Sequence, residues 1–339
     1  MLSKSVYVKA PFQFEVRQVD LPEPGPNEAL VRITACSVCG GDLTLAALDA
    51  ADWQPFGHEI AAVVEKLGGP AGSVQVGDKV VLESSSFCGV CDDCRNGHVE
   101  LCTKAPNFWG RKSMGFSEYM VVPCRCLVKY DGIPADHASL AEPLGVALDL
   151  LYTADIRFQD DVLVVGAGAI GLMAIKLARL AGARRIYATA RSGSDARITL
   201  AKQFGADEVI LTDRVDALAR LKELGGVDRV LATVPPAAMT EYLGAMKFAG
   251  IMAYIGFAPV GKAGITFDAN RFHVKRLQLR ASFAAPALYL PRAVGLMREG
   301  FIDADAMISR RFRLEETDEA MRALRDDKAG SVKMVMVND

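Results

Sequence analysis

The stretch CGVCDDCRNGHVELC places four thiols, Cys88, Cys91, Cys94 and Cys102, in a Cys-x2-Cys-x2-Cys-x7-Cys spacing. Four soft thiolates with no spare ligand close a tetrahedron, which is how zinc is held when its work is structural. Earlier in the chain Cys39, in CSVCGGD, and His58, in GHE, form an incomplete set. A catalytic zinc, which keeps an open coordination position, has that character. No cysteine follows Cys126, so the later part of the chain can supply a third ligand only as carboxylate or histidine. Glu142, in AEPLGVAL, and Glu59, beside His58, are the candidates. Glu142 also has a plainer reading, as an acid at a helix N-terminus favoured by the macrodipole. One chain therefore carries the ligands for a closed metal site and an open one.

A second chemistry lies at Gly166-Ala-Gly168-Ala-Ile170-Gly171, directly between VLVV and a helical segment. In that context the glycines permit a tight turn, close approach of a pyrophosphate and close helix–strand packing. The helix N-terminus then presents free N–H groups to the phosphates. An Asp or Glu at the end of the second strand would bind the ribose 2′-hydroxyl of NAD. Here RIYATA ends at Ala190 and continues Arg191-Ser192, with Arg197 a second cation nearby. A guanidinium and a hydroxyl suit a 2′-phosphate, so NADP(H) is expected in preference to NAD(H).

These residues need elements to hold them. Residues 1–130 contain short β-branched runs (ALVRITA, IAAVVEKLG, DKVVLES, EYMVVPC) bounded by turn residues, which predicts a barrel-like all-β unit. The cysteine segment 84–112 interrupts it as an excursion without a core of its own, hence its need for a metal. From residue 136 the apolar period becomes helical, with Asp136 the expected N-cap. Strands and helices then alternate through IMAYIGF, including a helix over PAAMTEYLGAMKF, which demands a parallel sheet covered on both faces. The tail closes with two helices and the strand KMVMV.

The chain has 339 residues, so two domains are expected. A net charge of −2 offers nothing to nucleic acid or an anionic membrane. No apolar run is long enough to span a bilayer, and the N-terminal residues carry no signal-peptide pattern. A cytoplasmic setting is expected. The eight cysteines are confined to residues 36–126, which fits metal binding better than a disulfide scaffold.

CGGD, GHE, the four-cysteine loop, GFSEYMVVP, EPLGVAL and GAGAIG, in this order, resemble the zinc-dependent medium-chain dehydrogenase/reductases over essentially the whole chain. Glutamate at 142 is similar to the polyol (sorbitol-type) branch. The resemblance implies an α/β protein with a GroES-like catalytic domain (1–150, with 284–339 folding back onto it) and a Rossmann domain (151–283). It also implies a cleft between the domains and a homodimer or homotetramer. Two zinc ions per chain are expected: a catalytic one on Cys39, His58 and Glu142, with Glu59 as alternate, and a structural one. The implied reaction moves hydride between a nicotinamide and a secondary alcohol or ketone of a polyol, sugar or amino-polyol, with zinc as Lewis acid. A simple alcohol or threonine-type substrate is the alternative within this chemistry. A non-catalytic, zinc-stabilised nucleotide-binding protein is the alternative outside it. Gly41 replaces the Ser or Thr that relays the alcohol proton in the family, so Thr44, a water or a substrate hydroxyl is expected to take over. Trp53, Phe108 and Trp109 are open between pocket and core.

Overall fold

The computed structural model describes residues 1–72, 74–258, 262–285 and 287–338. The chain divides into two compact units, one of residues 1–145, 285–327 and 333–339, the other of 146–284 and 328–332. The tail is thus shared: residues 328–332 belong to the second unit while the chain on either side belongs to the first.

In the first unit, β1 (Leu2–Lys9), β2 (Gln13–Asp20) and β4 (Gln54–Pro55) form a small antiparallel sheet. A larger one contains β3 (Glu28–Ser37), β5 (Glu59–Leu67), β6 (Lys79–Leu82), β7 (Tyr119–Pro123) and β8 (Leu127–Lys129). The tail adds β15 (Ile308–Phe312) and β16 (Lys333–Val337), and β16 pairs antiparallel with β3 through Val335↔Ser37 and Met336↔Cys36. Val6 and Val8 of β1 share one core with Ile33, Ile60, Phe116, Phe312 and Met336. Short helices α1 (Gly40–Thr44), α2 (Asp92–Arg95) and α3 (Ala135–Ala138) connect the strands, followed by the longer α4 (Ala141–Thr153).

In the second unit, β9 (Asp161–Val165), β10 (Arg185–Ala190), β11 (Glu208–Leu211), β12 (Val227–Ala232), β13 (Met246–Tyr254) and β14 (Gln278–Ala281) form one parallel sheet. Their order is β11-β10-β9-β12-β13-β14. Every residue of β9 is buried, as a strand covered on both faces requires. The order reverses between β10 and β12, on either side of β9, and ligands of doubly wound sheets gather outside the carboxyl ends of strands at such a switch point. Helices α5 (Ala169–Leu180) and α6 (Asp195–Gln203) follow β9 and β10. Among the described residues, no helix is long and apolar enough to cross a membrane.

Three local expectations are corrected. Asp136 is not an N-cap: it lies inside α3, whose N-cap is Pro134, and its carboxylate accepts from Arg311 Nε at 2.6 Å. PAAMTEYLGAMKF is not an α-helix but two 3₁₀ turns, Pro236–Ala238 and Thr240–Ala245, before β13 begins at Met246. The sheet claims the end of the segment, because Met246 already pairs with Val227 of β12. The run EYMVVPC loses its last residue from the strand: β7 ends at Pro123, and Cys124 opens a 3₁₀ turn, Cys124–Cys126, that returns the chain to β8.

Glu83, just past β6, is buried at 5% exposure. Burial raises its carboxyl from 4.5 to about 7, against the opposing bond from Ser86. A carboxyl that holds its proton better in the folded chain supports folding fully below the unfolded value, and that support is lost as pH rises through the folded value. Glu83→Gln is therefore expected to match wild type in urea unfolding near pH 4.5 and to exceed it by about 2 kcal/mol at pH 8. An offset independent of pH would contradict this.

Candidate active site and dinucleotide cavity

Cys39 ends the β3 connection as the N-cap of α1. Its N–H donates to Asp42 Oδ2 at 2.9 Å, and Gly41 N–H donates to its sulfur at 3.4 Å. His58 immediately precedes β5. Its predecessor Gly57 has φ +90°, and a Cβ there would meet the Phe116 ring at 2.6 Å, so only glycine lets the chain turn this imidazole toward Cys39. The ligand atoms of Cys39, His58 and Glu59 lie within 4.8 Å of one another. Thiolate, imidazole and carboxylate are the donor types zinc takes. Burial raises the Cys39 thiol pKa, with His58 pulling the other way. Burial lowers that of His58, yet Cys39, Asp42 and Glu142 together hold it well above its ordinary value. Asp42 Oδ1 stands 3.8 Å from His58 Nδ1, an attraction that biases the ring's other nitrogen toward a metal.

The two candidate carboxylates differ in what already holds them. Glu59 Oε2 accepts from Ser37 Oγ and from the ammonium of Lys333, at the start of β16. Lys333 is 2% exposed and its Nζ also donates to Val38 O at 2.7 Å. Burial lowers the Lys333 pKa, but Glu59, Cys39 and Glu142 raise it further, so the ammonium stays charged. Glu142, in the first turn of α4, accepts no hydrogen bond among the described residues and feels His58 as its strongest attraction. It is 8% exposed, and burial raises its pKa. The grouping within 4.8 Å contains Glu59 and not Glu142, the reverse of the order expected from sequence. Thr44 is exposed at the end of α1 and makes no hydrogen bond to this cluster among the described residues.

Cys88, Cys91, Cys94 and Cys102 converge as a second group. The Cys88–Cys94 and Cys91–Cys102 sulfurs are 4.0 and 3.9 Å apart. A zinc–sulfur tetrahedron with bonds of about 2.3 Å has edges of about 3.8 Å, so the thiols fit that ion and not a pair of disulfides. The N–H groups of Val90 and Cys91 point at Cys88 Sγ and bring its thiol down to about 6.

The glycine turn after β9 opens on a cavity of about 590 Å³ lined by Gly166, Gly168, Arg191, Ser192 and Arg197 among others. Gly166 has φ +97°, and a Cβ on Gly171 would fall 1.9 Å from Gly166 O. Ile170 and Gly171 seat α5 rather than line the cavity. Thr189 Oγ1 accepts the Gly166 N–H at 3.0 Å, and Thr233 Oγ1 donates to Val165 O at 3.0 Å, which fixes the turn from both neighbouring strands. Arg191 is exposed and Arg197 half-buried, and neither pairs with a carboxylate among the described residues. Ser192 is committed differently from expectation: its N–H and hydroxyl both donate to Asp213.

A further cavity of about 400 Å³ in the first unit is lined by Leu45, Trp53, Gln54, Trp109, Arg111 and Met114, with Asp42 at its edge. The Trp109 ring packs 5.3 Å from that of His58, whereas Phe108 is fully buried in the core. Arg111 is paired with Glu28 at 2.7 Å. Sequence reading missed Lys333 and the positioning role of Asp42. A lysine opening an otherwise apolar strand was the available signal, because a buried ammonium must have a partner.

A family model of zinc-binding dehydrogenases matches residues 169–298, and one of the alcohol dehydrogenase GroES-like domain matches 25–134. An L-threonine 3-dehydrogenase from Pyrococcus horikoshii is 32% identical over 337 residues, 95% of each chain. One from Chromobacterium violaceum is 29% identical, over 96% of this chain and 97% of its own. A zinc-binding dehydrogenase from Sinorhizobium meliloti, solved bound to NADP, superposes with a TM-score of 0.88 at 27% identity over the whole of both chains. An alcohol dehydrogenase from Thermus sp. ATN1 gives 0.88 at 27%, over 98% of this chain and 99% of its own.

Lys333→Met should destabilise the protein by about 3–5 kcal/mol in urea unfolding, because it strands the Glu59 carboxylate. Lys333→Met combined with Glu59→Gln should recover most of that loss. A double variant no more stable than Lys333→Met would show that the two charges are not coupled.

Proposed function

The chain belongs to the zinc-dependent medium-chain dehydrogenase/reductases, and we propose that in this family it is an NADP(H)-preferring dehydrogenase of neutral polyhydroxylated secondary alcohols. The observation that carries the reading is the half-buried Cys39–His58 pair with its buried carboxylate, in a chain that also folds a dinucleotide cradle. When bound, zinc supplies Lewis acidity to the substrate oxygen and the nicotinamide exchanges hydride with the substrate carbon.

The residues divide the remaining work. Cys39, His58 and Glu142 hold the metal. Glu59, already carrying Lys333 and Ser37, keeps the strands beneath the metal in register and serves as its reserve ligand. Asp42 orients His58 and fixes the backbone of Cys39. Cys88, Cys91, Cys94 and Cys102 hold a structural zinc that replaces the core their loop lacks. Trp53 and Trp109 offer apolar ring faces to the C–H faces of a polyol, and Gln54 offers donor and acceptor to its hydroxyls. With Gly41 unable to pass a proton and Thr44 turned to solvent, a substrate hydroxyl or a water is the proton's way out.

The cofactor preference is supported by Arg191 and Arg197, two cations with no carboxylate partner among the described residues, next to the strand end where an NAD-binding site has an acid. A threonine-type substrate is the second reading, favoured by the relatives at 32% and 29% identity. Against it, among the described residues the one cation lining the indole cavity, Arg111, is paired with Glu28, which leaves a substrate carboxylate without a counter-charge from them there.

Initial rates with sorbitol-type polyols, simple diols and L-threonine, each with NADP+ and NAD+, test both choices. A polyol with NADP+ is expected to give the highest kcat/KM; the best rates with NAD+ would overturn the cofactor reading, and the best with L-threonine the substrate reading. Glu142→Gln should remove one zinc per chain by metal analysis and lower kcat at least about a hundredfold. Full zinc in Glu142→Gln, with the loss in Glu59→Gln instead, would make Glu59 the ligand.

A further inference from the structure

The segment 328–332 joins the second unit although the helix Thr317–Asp326 before it and β16 after it belong to the first. The reason lies at the start of α6. A helix start leaves backbone N–H groups without internal acceptors, and the N-cap Ser194 makes no side-chain cap bond. Ala329 O accepts the Ala196 N–H at 2.9 Å in its place. Two residues on, Ser331 O accepts from Arg197 Nε at 3.1 Å. The segment is thereby pinned to the first turn of the helix that follows β10, and Lys328 lines the same cavity as Gly166, Gly168, Arg191 and Arg197.

The ribose end of this cavity is short of one donor that sequence expects. Ser192 has given its hydroxyl proton and its N–H to Asp213, and its oxygen accepts from Arg214 Nε at 3.3 Å. A phosphate monoester carries nearly two negative charges near pH 7. Two guanidiniums are present, one of them, Arg197, already tied to Ser331 O. We infer that Lys328 is a specificity-determining residue for the dinucleotide, a cation carried by the C-terminal segment to bind the 2′-phosphate of NADP(H) together with Arg191 and Arg197. This rests on the NADP(H) reading above and extends it to a residue 137 positions beyond Arg191 in the chain. A lysine suits the task as a compact point charge on a four-carbon stem, carried by backbone that Ala329 O and Ser331 O hold against α6.

The test is calorimetric titration of the zinc-loaded protein with 2′,5′-ADP and with 5′-AMP, beside kcat/KM for NADP+ and NAD+. K328A should weaken 2′,5′-ADP about tenfold while changing 5′-AMP much less, and should lower the NADP+/NAD+ ratio of kcat/KM in the same proportion through KM. K328E should weaken 2′,5′-ADP further, and K328R should restore it. Metal content and thermal midpoint report whether each variant is folded. A wild type that binds 2′,5′-ADP no better than 5′-AMP would overturn the cofactor reading and the role of Lys328 together. A wild type that prefers 2′,5′-ADP, with K328A and K328E preferring it equally, would overturn the role of Lys328 alone.

Discussion

Beneath the Cys39–His58 group, an ammonium and a carboxylate face each other out of reach of water. Lys333 and Glu59 are 2% and 1% exposed, and either alone would be costly to keep charged at that depth. Paired, they fix more than each other. Glu59 opens β5 and Lys333 opens β16, while Ser37, which also donates to Glu59, closes β3. Because β16 pairs with β3 and β3 with β5, one charge pair locks the register of three strands, two of which, β3 and β5, carry Cys39 and His58 just beyond their ends. A slip of one residue would turn every side chain to the opposite face and leave both charges unpaired. The geometry of the metal group therefore depends on the last strand of the chain being in place.

The two metal groups solve opposite problems. The thiols of Cys88, Cys91, Cys94 and Cys102 sit on a loop with short helical turns and little core, where in the proposed reading a metal supplies the folding energy that packing does not. The Cys39 group sits on strand ends over a packed core, so in the proposed reading the protein organises the ligands and leaves one position for chemistry. In the second unit the same division holds between parts. Glycines make the phosphate turn, threonines from neighbouring strands hold it, and cations gather where the charge of the cofactor is expected.

Much of this was legible because the signals are local. A cysteine spacing, a glycine triplet between a buried strand and a helix, and the alternation of strands and helices each declare themselves within a few residues. The sheet order β11-β10-β9-β12-β13-β14 is the arrangement that such alternation leads one to expect. What was not legible is set by long-range pairing. Nothing near Lys333 names Glu59, 274 residues away, and nothing near Lys328 names the turn at Gly166. Ser192 looked like a phosphate ligand because its competitor, Asp213, comes from the next strand's end. The 3₁₀ turns at 236–245 have helical periodicity, and the pairing of β13 with β12 overrides it.

X-ray absorption at the zinc edge of the purified protein tests most directly whether this chain builds one closed and one open zinc site. Four thiolates at one ion and a single thiolate at the other predict about 2.5 sulfurs per zinc at about 2.3 Å, the remaining ligands being nitrogen and oxygen at about 2.0–2.1 Å. A shell of four sulfurs alone would mean that zinc occupies only the cysteine loop, and the account of Cys39, His58 and their carboxylate partner as a Lewis-acid site would fail.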